Sequence, residues 1–247
     1  MSVLVILPAI LLLPLFPFSM VAVLAFDRLR DGWLRSLLLL VWTLPGAALL
    51  STSDTAPPAW LVAWAMLTAL FYAWRAVVLQ DARLWIVFLA VSSSALLWAG
   101  AGGAAMIAKA LGLSLPIAFA SALIEIIERR RGAAHVALDL RLAGRAPKLA
   151  GLFFIGLLAV AAMPVSPSFF VLLALVSDQA ATSVMTTLAI LACWLLWSWA
   201  AARLVTGIVI GRAHTAPNDI SDHLASFYGA GVVGLGLVGV LLGGIML

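Results

Sequence analysis

Charge is what this sequence has least of. Of its 247 residues only 10% are Asp, Glu, Lys or Arg, while 65% are hydrophobic; soluble domains run nearer to a quarter charged and half apolar. No soluble fold can hide that much apolar surface. Cysteine occurs once, as Cys193 within an apolar stretch, which excludes an internal disulfide framework and a cysteine-based metal site and leaves a packing role. The three histidines, His135, His214 and His223, fall in connections and are not paired on one helical face, so no metal ligand is assigned. The HExxH, GxSxG, P-loop and GxGxxG contexts are absent, as is a buried His or paired Asp beside a nucleophile. No catalytic or cofactor-binding residue is assigned, and no enzymatic activity is expected of the chain alone. The net charge of +4 does not point to nucleic acid, because the basic residues sit at the ends of apolar stretches, where headgroups and topology account for them.

What is present is hydrophobic length. A bilayer core about 30 Å thick takes roughly 20 apolar residues per helix. Apolar segments run over residues 3–26, 34–50, 59–79, 84–101, 104–127, 149–174, 182–211 and 224–247, predicting an all-α transmembrane bundle of about eight spans, some interrupted by proline, as one membrane domain over residues 1–247. The fourth and fifth segments are fused in hydropathy and are divided at Gly100-Ala101-Gly102-Gly103, because together they are twice a span. The first is too long and too punctuated by proline for a signal-peptide core and is expected to be retained. Lysine and arginine give an independent check. Arg28, Arg30 and Arg35 follow the first span, Arg75 and Arg83 bracket the third connection, Arg129, Arg130, Arg131, Arg141, Arg145 and Lys148 fill the fifth, and Arg212 follows the seventh span. The intervening connections have none. This alternation places both termini on the non-cytoplasmic side.

Prolines at membrane depth delete a backbone donor and free a carbonyl that lipid cannot satisfy. Pro8, Pro14, Pro17, Pro45 and Pro116 read as kinks. The cluster Met163-Pro164-Val165-Ser166-Pro167-Ser168 points to an interrupted helix with exposed carbonyls, a functional feature or a simple bend. Ionisable groups inside spans need a reason, since a charge at mid-bilayer costs roughly 2.5–3.5 kcal/mol on insertion scales. Lys109, in Ala105-Met106-Ile107-Ala108-Lys109-Ala110, has no acidic residue within a helical turn; it is either a proton-relay amine or a side chain snorkelling to the near interface. Arg203 either lines a polar path or reaches headgroups, with headgroups favoured. Glu125 is expected to pair with Arg129 one turn on. Ser92-Ser93-Ser94 and Thr182, Ser183, Thr186 and Thr187 can order water or, more commonly, tie helices together. Asp178, Asp219 and Asp222 are expected to be solvated in loops, and Gly239 and Gly243 to mark close helix packing.

Several stretches, in order, resemble the antiporter-like proton-translocating membrane subunits of respiratory complex I, Mrp-type sodium/proton antiporters and membrane-bound hydrogenases. Phe71-Tyr72-Ala73-Trp74 with Leu79-Gln80-Asp81-Ala82-Arg83-Leu84 is similar to a family segment ending in Gln, Asp and a Lys-Arg pair, and Val91-Ser92-Ser93 falls on its Val-Ser-His. Ala105 to Lys109 resembles the following helix, where the family places His or Lys. Asp139-Leu140-Arg141-Leu142-Ala143-Gly144 is similar to Asp-x-Arg-x-x-Gly-Gly, and Leu157 through Phe169 to a Gly-x-Pro helix start followed by Phe. The resemblance covers residues 60–215 and matches the family's C-terminal half. The chain departs from the pattern where Arg83 replaces a lysine, Ser93 a histidine and Leu172 an acidic residue.

The resemblance implies a truncated antiporter-like subunit of a proton- or sodium-translocating, energy-coupling complex of the oxidoreductase type, in a bacterial inner membrane, with other membrane subunits and the lipid bilayer as partners. It implies a proton pathway through Lys109, Ser92, Ser93, Arg83 and Arg203, with a helix break at Met163, Pro164 and Pro167. Two alternatives stand beside it: a non-transporting scaffold of such a complex, and a membrane partner in energy-coupled inorganic-carbon uptake.

Overall fold

The computed structural model describes residues 3–29, 31–52, 56–100, 102–103, 105–138, 141–210 and 219–246. Arg30, Ala101, Asp139, Leu140, Arg212 and His214, all used above, lie outside them. The described residues form an all-α membrane bundle. Its helices are α1 (Val3–Leu12), α2 (Phe18–Arg28), α3 (Gly32–Val41), α4 (Thr43–Ser51), α5 (Ala59–Val78), α6 (Ala82–Leu96), α7 (Met106–Arg131), the short α8 (Leu142–Arg145), α9 (Pro147–Val160), α10 (Pro167–Ala180), α11 (Val184–Leu204) and α12 (Asp222–Met246). A 3-10 turn (Leu97–Gly100) extends α6, and a π-helical turn (Val205–Val209) extends α11.

Among the described residues, six helical stretches are long and apolar enough to cross a membrane: Gly32–Ser51, Ala59–Val78, Ala82–Gly100, Met106–Arg131, Val184–Val209 and Asp222–Met246. The first and sixth predicted segments are different: each is two shorter helices joined by a break. Between α1 and α2 lies 13–17, and between α9 and α10 lies 161–166, where Ala162 and Val165 take positive φ of 59° and 79°.

At both breaks tryptophan side chains donate to backbone carbonyls. Trp98 Nε1 donates to Leu13 O at 3.3 Å and Trp64 Nε1 to Phe16 O at 2.7 Å, while Phe16 N donates to Thr68 Oγ1. At the second break Trp194 Nε1 donates to Ala161 O at 3.1 Å and Ser168 Oγ to Ala159 O at 2.5 Å. Gly239 of α12 lies against the Val165 carbonyl, so that any Cβ there would overlap it, and Gly243 lies against Phe170. Neighbouring helices thus satisfy part of what the breaks expose, as a bilayer requires.

α6 forms the centre and is buried on nearly all sides, whereas α12 is mostly exposed. Among the described residues, most charges other than Lys109 and Asp178 lie towards one end. There Arg83 Nη2 donates to the carbonyls of Asp27 at 2.6 Å and Leu29 at 2.5 Å, and Arg203 donates to Val77 O, so two guanidiniums cap the C-termini of α2 and α5. This is the favourable pole of a helix for a cation. Asp219, expected in solvent, caps α9 from outside: its carboxylate accepts from Lys148 N at 2.6 Å and Leu149 N at 3.2 Å. Asp222 pairs with Lys148.

Candidate functional site

α7 carries ionisable groups towards both of its ends, and at each end they meet a charged side chain of another helix. Lys109 stands at the fourth residue of α7, 7% exposed. It is not unpaired: Nζ lies 2.7 Å from Asp178 Oδ2 on α10. The two residues lie 69 positions apart, so the partner is outside a helical turn of Lys109. The apolar run fades after residue 174, which by itself points to a loop at Asp178. The break at 161–166 restarts the helix at Pro167, and α10 continues to Ala180, which puts Asp178 inside its last turn.

The pair is asymmetric. The Lys109 side chain is 9% exposed and the Asp178 side chain 50%, so the amine is enclosed and its carboxylate is half exposed. The turn after α6 makes the room: a Cβ on Gly100 would come 3.0 Å from Nζ and 2.5 Å from Leu175 Cδ2. Next to Asp178, Gln179 Nε2 donates to Ala99 O at 2.7 Å, and Thr182 Oγ1 donates to Gln179 Oε1 at 3.3 Å. A groove of ≈ 500 Å³ between α5 and α11 is lined mainly by apolar side chains together with Gln179, Thr182, Ser183 and Thr186, and does not reach Lys109 or Asp178. Removing Asp178 would leave an enclosed ammonium without an acceptor, a loss of about 1–3 kcal/mol.

The remaining expected pathway residues are not gathered around Lys109. Ser92 Oγ donates to Ala69 O at 2.8 Å and accepts from Trp197 Nε1 at 3.0 Å, joining α5, α6 and α11. Ser93 Oγ returns to Ala90 O and Ser94 Oγ to Val91 O within α6. Arg83 begins α6, and seventeen residues separate it from Gly100 beside Lys109, about 25 Å of helix. Arg83 and Arg203 both serve as caps at the charged end. Met163, Pro164 and Pro167 lie at the second break, with Met163 partly exposed.

A residue missed from sequence dominates the charged end. Arg35 lies inside the predicted segment 34–50, yet counting it with the loop cations hid its depth. It is fully buried in α3. Its Nη2 lies 3.2 Å from Glu128 Oε2 and 3.6 Å from Glu125 Oε2. Glu125 Oε1 also accepts from Arg129 Nε at 2.5 Å, the expected pair one turn on. Gly32 allows the approach, since a Cβ there would overlap the Glu125 carboxylate. Ser36 Oγ donates to Ser121 Oγ at 3.0 Å, extending the polar seam between α3 and α7. An arginine within an apolar helix, facing two glutamates three residues apart, was the available signal.

The geometry now bears comparison with solved structures. Over 94% of the chain superposes on 51% of a chain of the membrane-bound sulfane sulfur reductase (MBS), an archaeal respiratory membrane complex, with TM-score 0.80 and 15% identity. Over 95% it matches 56% of a chain of the Mrp complex from Dietzia sp. DQ12-45-1b, with TM-score 0.80 and 16% identity. The fold is that of the antiporter-like membrane subunits. A chain of respiratory complex I from Thermus thermophilus has this antiporter-like fold too, with TM-score 0.76, 19% identity, and 95% and 53% of the two chains covered. The chain spans about half the length of the solved chains it matches. No protein-family model matches the sequence, and no curated protein matches it significantly.

Proposed function

We propose that this integral membrane protein serves as an antiporter-like subunit of a proton- or sodium-translocating, energy-coupling complex, with Lys109 its proton-handling group and Asp178 the carboxylate that exchanges with it. One observation carries the reading: in this fold an enclosed amine is held by a single acidic partner that is itself half exposed. An amine so placed can exchange its proton through that carboxylate, and burial makes the protonation state sensitive to charge moving nearby. The other membrane subunits of such a complex would cover the exposed apolar faces; the reading places the protein in a bacterial inner membrane, and the basic residues near one end support both termini being non-cytoplasmic.

The test is ion flux in the assembled complex. Lys109→Ala and Lys109→Met should abolish proton or sodium flux while leaving assembly intact; unchanged flux with normal assembly overturns the role. A second reading, a non-transporting scaffold, is favoured by the packing and capping bonds of Ser92, Ser93, Arg83 and Arg203. Reconstituted alone, a transporter collapses an imposed pH gradient and a scaffold does not. Co-purifying iron-sulfur or nickel proteins would mark a redox complex; a zinc protein would mark partnership in inorganic-carbon uptake.

A further inference from the structure

The face between α2 and α5 carries two grooves that meet at Phe71. One, of ≈ 420 Å³, has Met20 and Leu24 of α2 on one side, Phe71 and Arg75 of α5 on the other, and Phe88 of α6 beneath. The second, of ≈ 460 Å³, continues from Phe71 past Leu67 to Trp64 and Phe16. Each wall follows a four-residue interval, Met20, Leu24 and Arg28 on α2 and Leu67, Phe71 and Arg75 on α5, so each apolar wall runs on into an arginine. Both arginines stand in the last turn of their helix, at the end where Arg83 and Arg203 cap α2 and α5. Both are exposed, and among the described residues neither guanidinium has a hydrogen bond or an ion pair. Asp27, exposed beside Arg28, is one carboxylate against three guanidiniums, since Arg83 Nη2 sits on its carbonyl.

We propose that the α2–α5 face is a binding site for one anionic phospholipid, with an acyl chain lying along Phe71 and Leu67 and the phosphate held by Arg75 and Arg28. Eleven residues separate Trp64 from Arg75, about 16 Å of helix, which is one leaflet of a hydrocarbon core roughly 30 Å thick. A helix of a partner subunit would run through both leaflets and would have to bring its own carboxylate to Arg75. A phospholipid supplies the chain and the anion together, and the planar guanidinium fork matches phosphate oxygens. The site lies at the end that the alternation of basic residues assigns to the cytoplasm, where the leaflet carries anionic lipid. An arginine that only fixes topology predicts otherwise: it would accept any headgroup and would not depend on the groove beside it.

Native mass spectrometry of the full chain, released from micelles doped with equal amounts of phosphatidylglycerol and phosphatidylcholine, reads the retained lipid directly and needs no flux, so it stands apart from the Lys109 test. The expected result is a single phosphatidylglycerol held in preference to phosphatidylcholine, weakened in Arg75→Gln and lost when Arg28→Gln is added. It should be lost equally in Leu24→Trp, which fills the groove at unchanged charge, and kept in Lys148→Gln, which removes a positive charge elsewhere. Arg28, Arg75 and Leu24 are all exposed, so these substitutions leave the core intact. Equal retention of the two lipids overturns the proposal, as does phosphatidylglycerol that persists in the double arginine variant or in Leu24→Trp. Loss in Lys148→Gln overturns it too, by making the binding general electrostatics. In the assembled complex, a crosslink from Leu24→Cys to a neighbouring subunit would put protein on this face and overturn it equally.

Discussion

Near the charged end of α7 two arginines and two glutamates share contacts across α3 and α7, with Arg35 wholly enclosed; towards the other end, Lys109 meets one carboxylate that faces outward. The first arrangement is partly redundant, because Glu125 keeps Arg129 even when its contact to Arg35 is lost. The second has none, so any change of protonation at Lys109 or Asp178 is felt by its partner. Enclosure of a charge therefore teaches less than the number and exposure of its partners: the deeper residue, Arg35, sits in the better-compensated site.

Substitutions can sharpen or break this contrast. The largest effect is expected from Arg35→Met, which removes the guanidinium that Glu125 and Glu128 share; breaking a buried pair by removing one partner costs about 3–5 kcal/mol, and thermal unfolding in detergent should show it. An unchanged midpoint would mean the cluster is solvated. Asp178→Asn should cost less, about 1–3 kcal/mol, but should impair flux as Lys109→Met does, with normal assembly. Equal destabilisation in both variants would erase the difference between the ends.

Smaller effects probe the scaffold that sets the two ends apart. Trp194→Phe uncaps Ala161 O at the second break and should lower stability by about 1 kcal/mol, read by the same unfolding midpoint. Lys148→Ala removes only a surface contact to Asp222, and the midpoint should stay where it is. A large loss there would show that this connection is covered by a partner.

Much of the fold was legible because length and hydropathy are local properties. The eight apolar segments, the division near Gly102 and the break around Pro164 follow from runs of residues and from the missing proline N–H. The helix ends were less legible. The segment that ended at residue 174 runs on to Ala180, because a broken span restarts its count, and that extension carries Asp178 into the bundle. The site was legible only in part: Lys109 stood out as a charge among apolar residues, while its partner lies 69 positions away. Arg35 was read as a loop cation although it fell within an apolar segment, and the caps made by Arg83, Arg203 and Asp219 join helices with no sequence proximity.

The amino-acid order alone determined that this chain is a bundle of membrane helices and which side chains are costly to bury, because the cost of placing a group in hydrocarbon is a property of that group. Tertiary structure alone decided which charges meet. Pairing depends on the depth at which two separate helices stop and on the glycines, Gly32 and Gly100, that let them approach, and neither is written in any local stretch of residues.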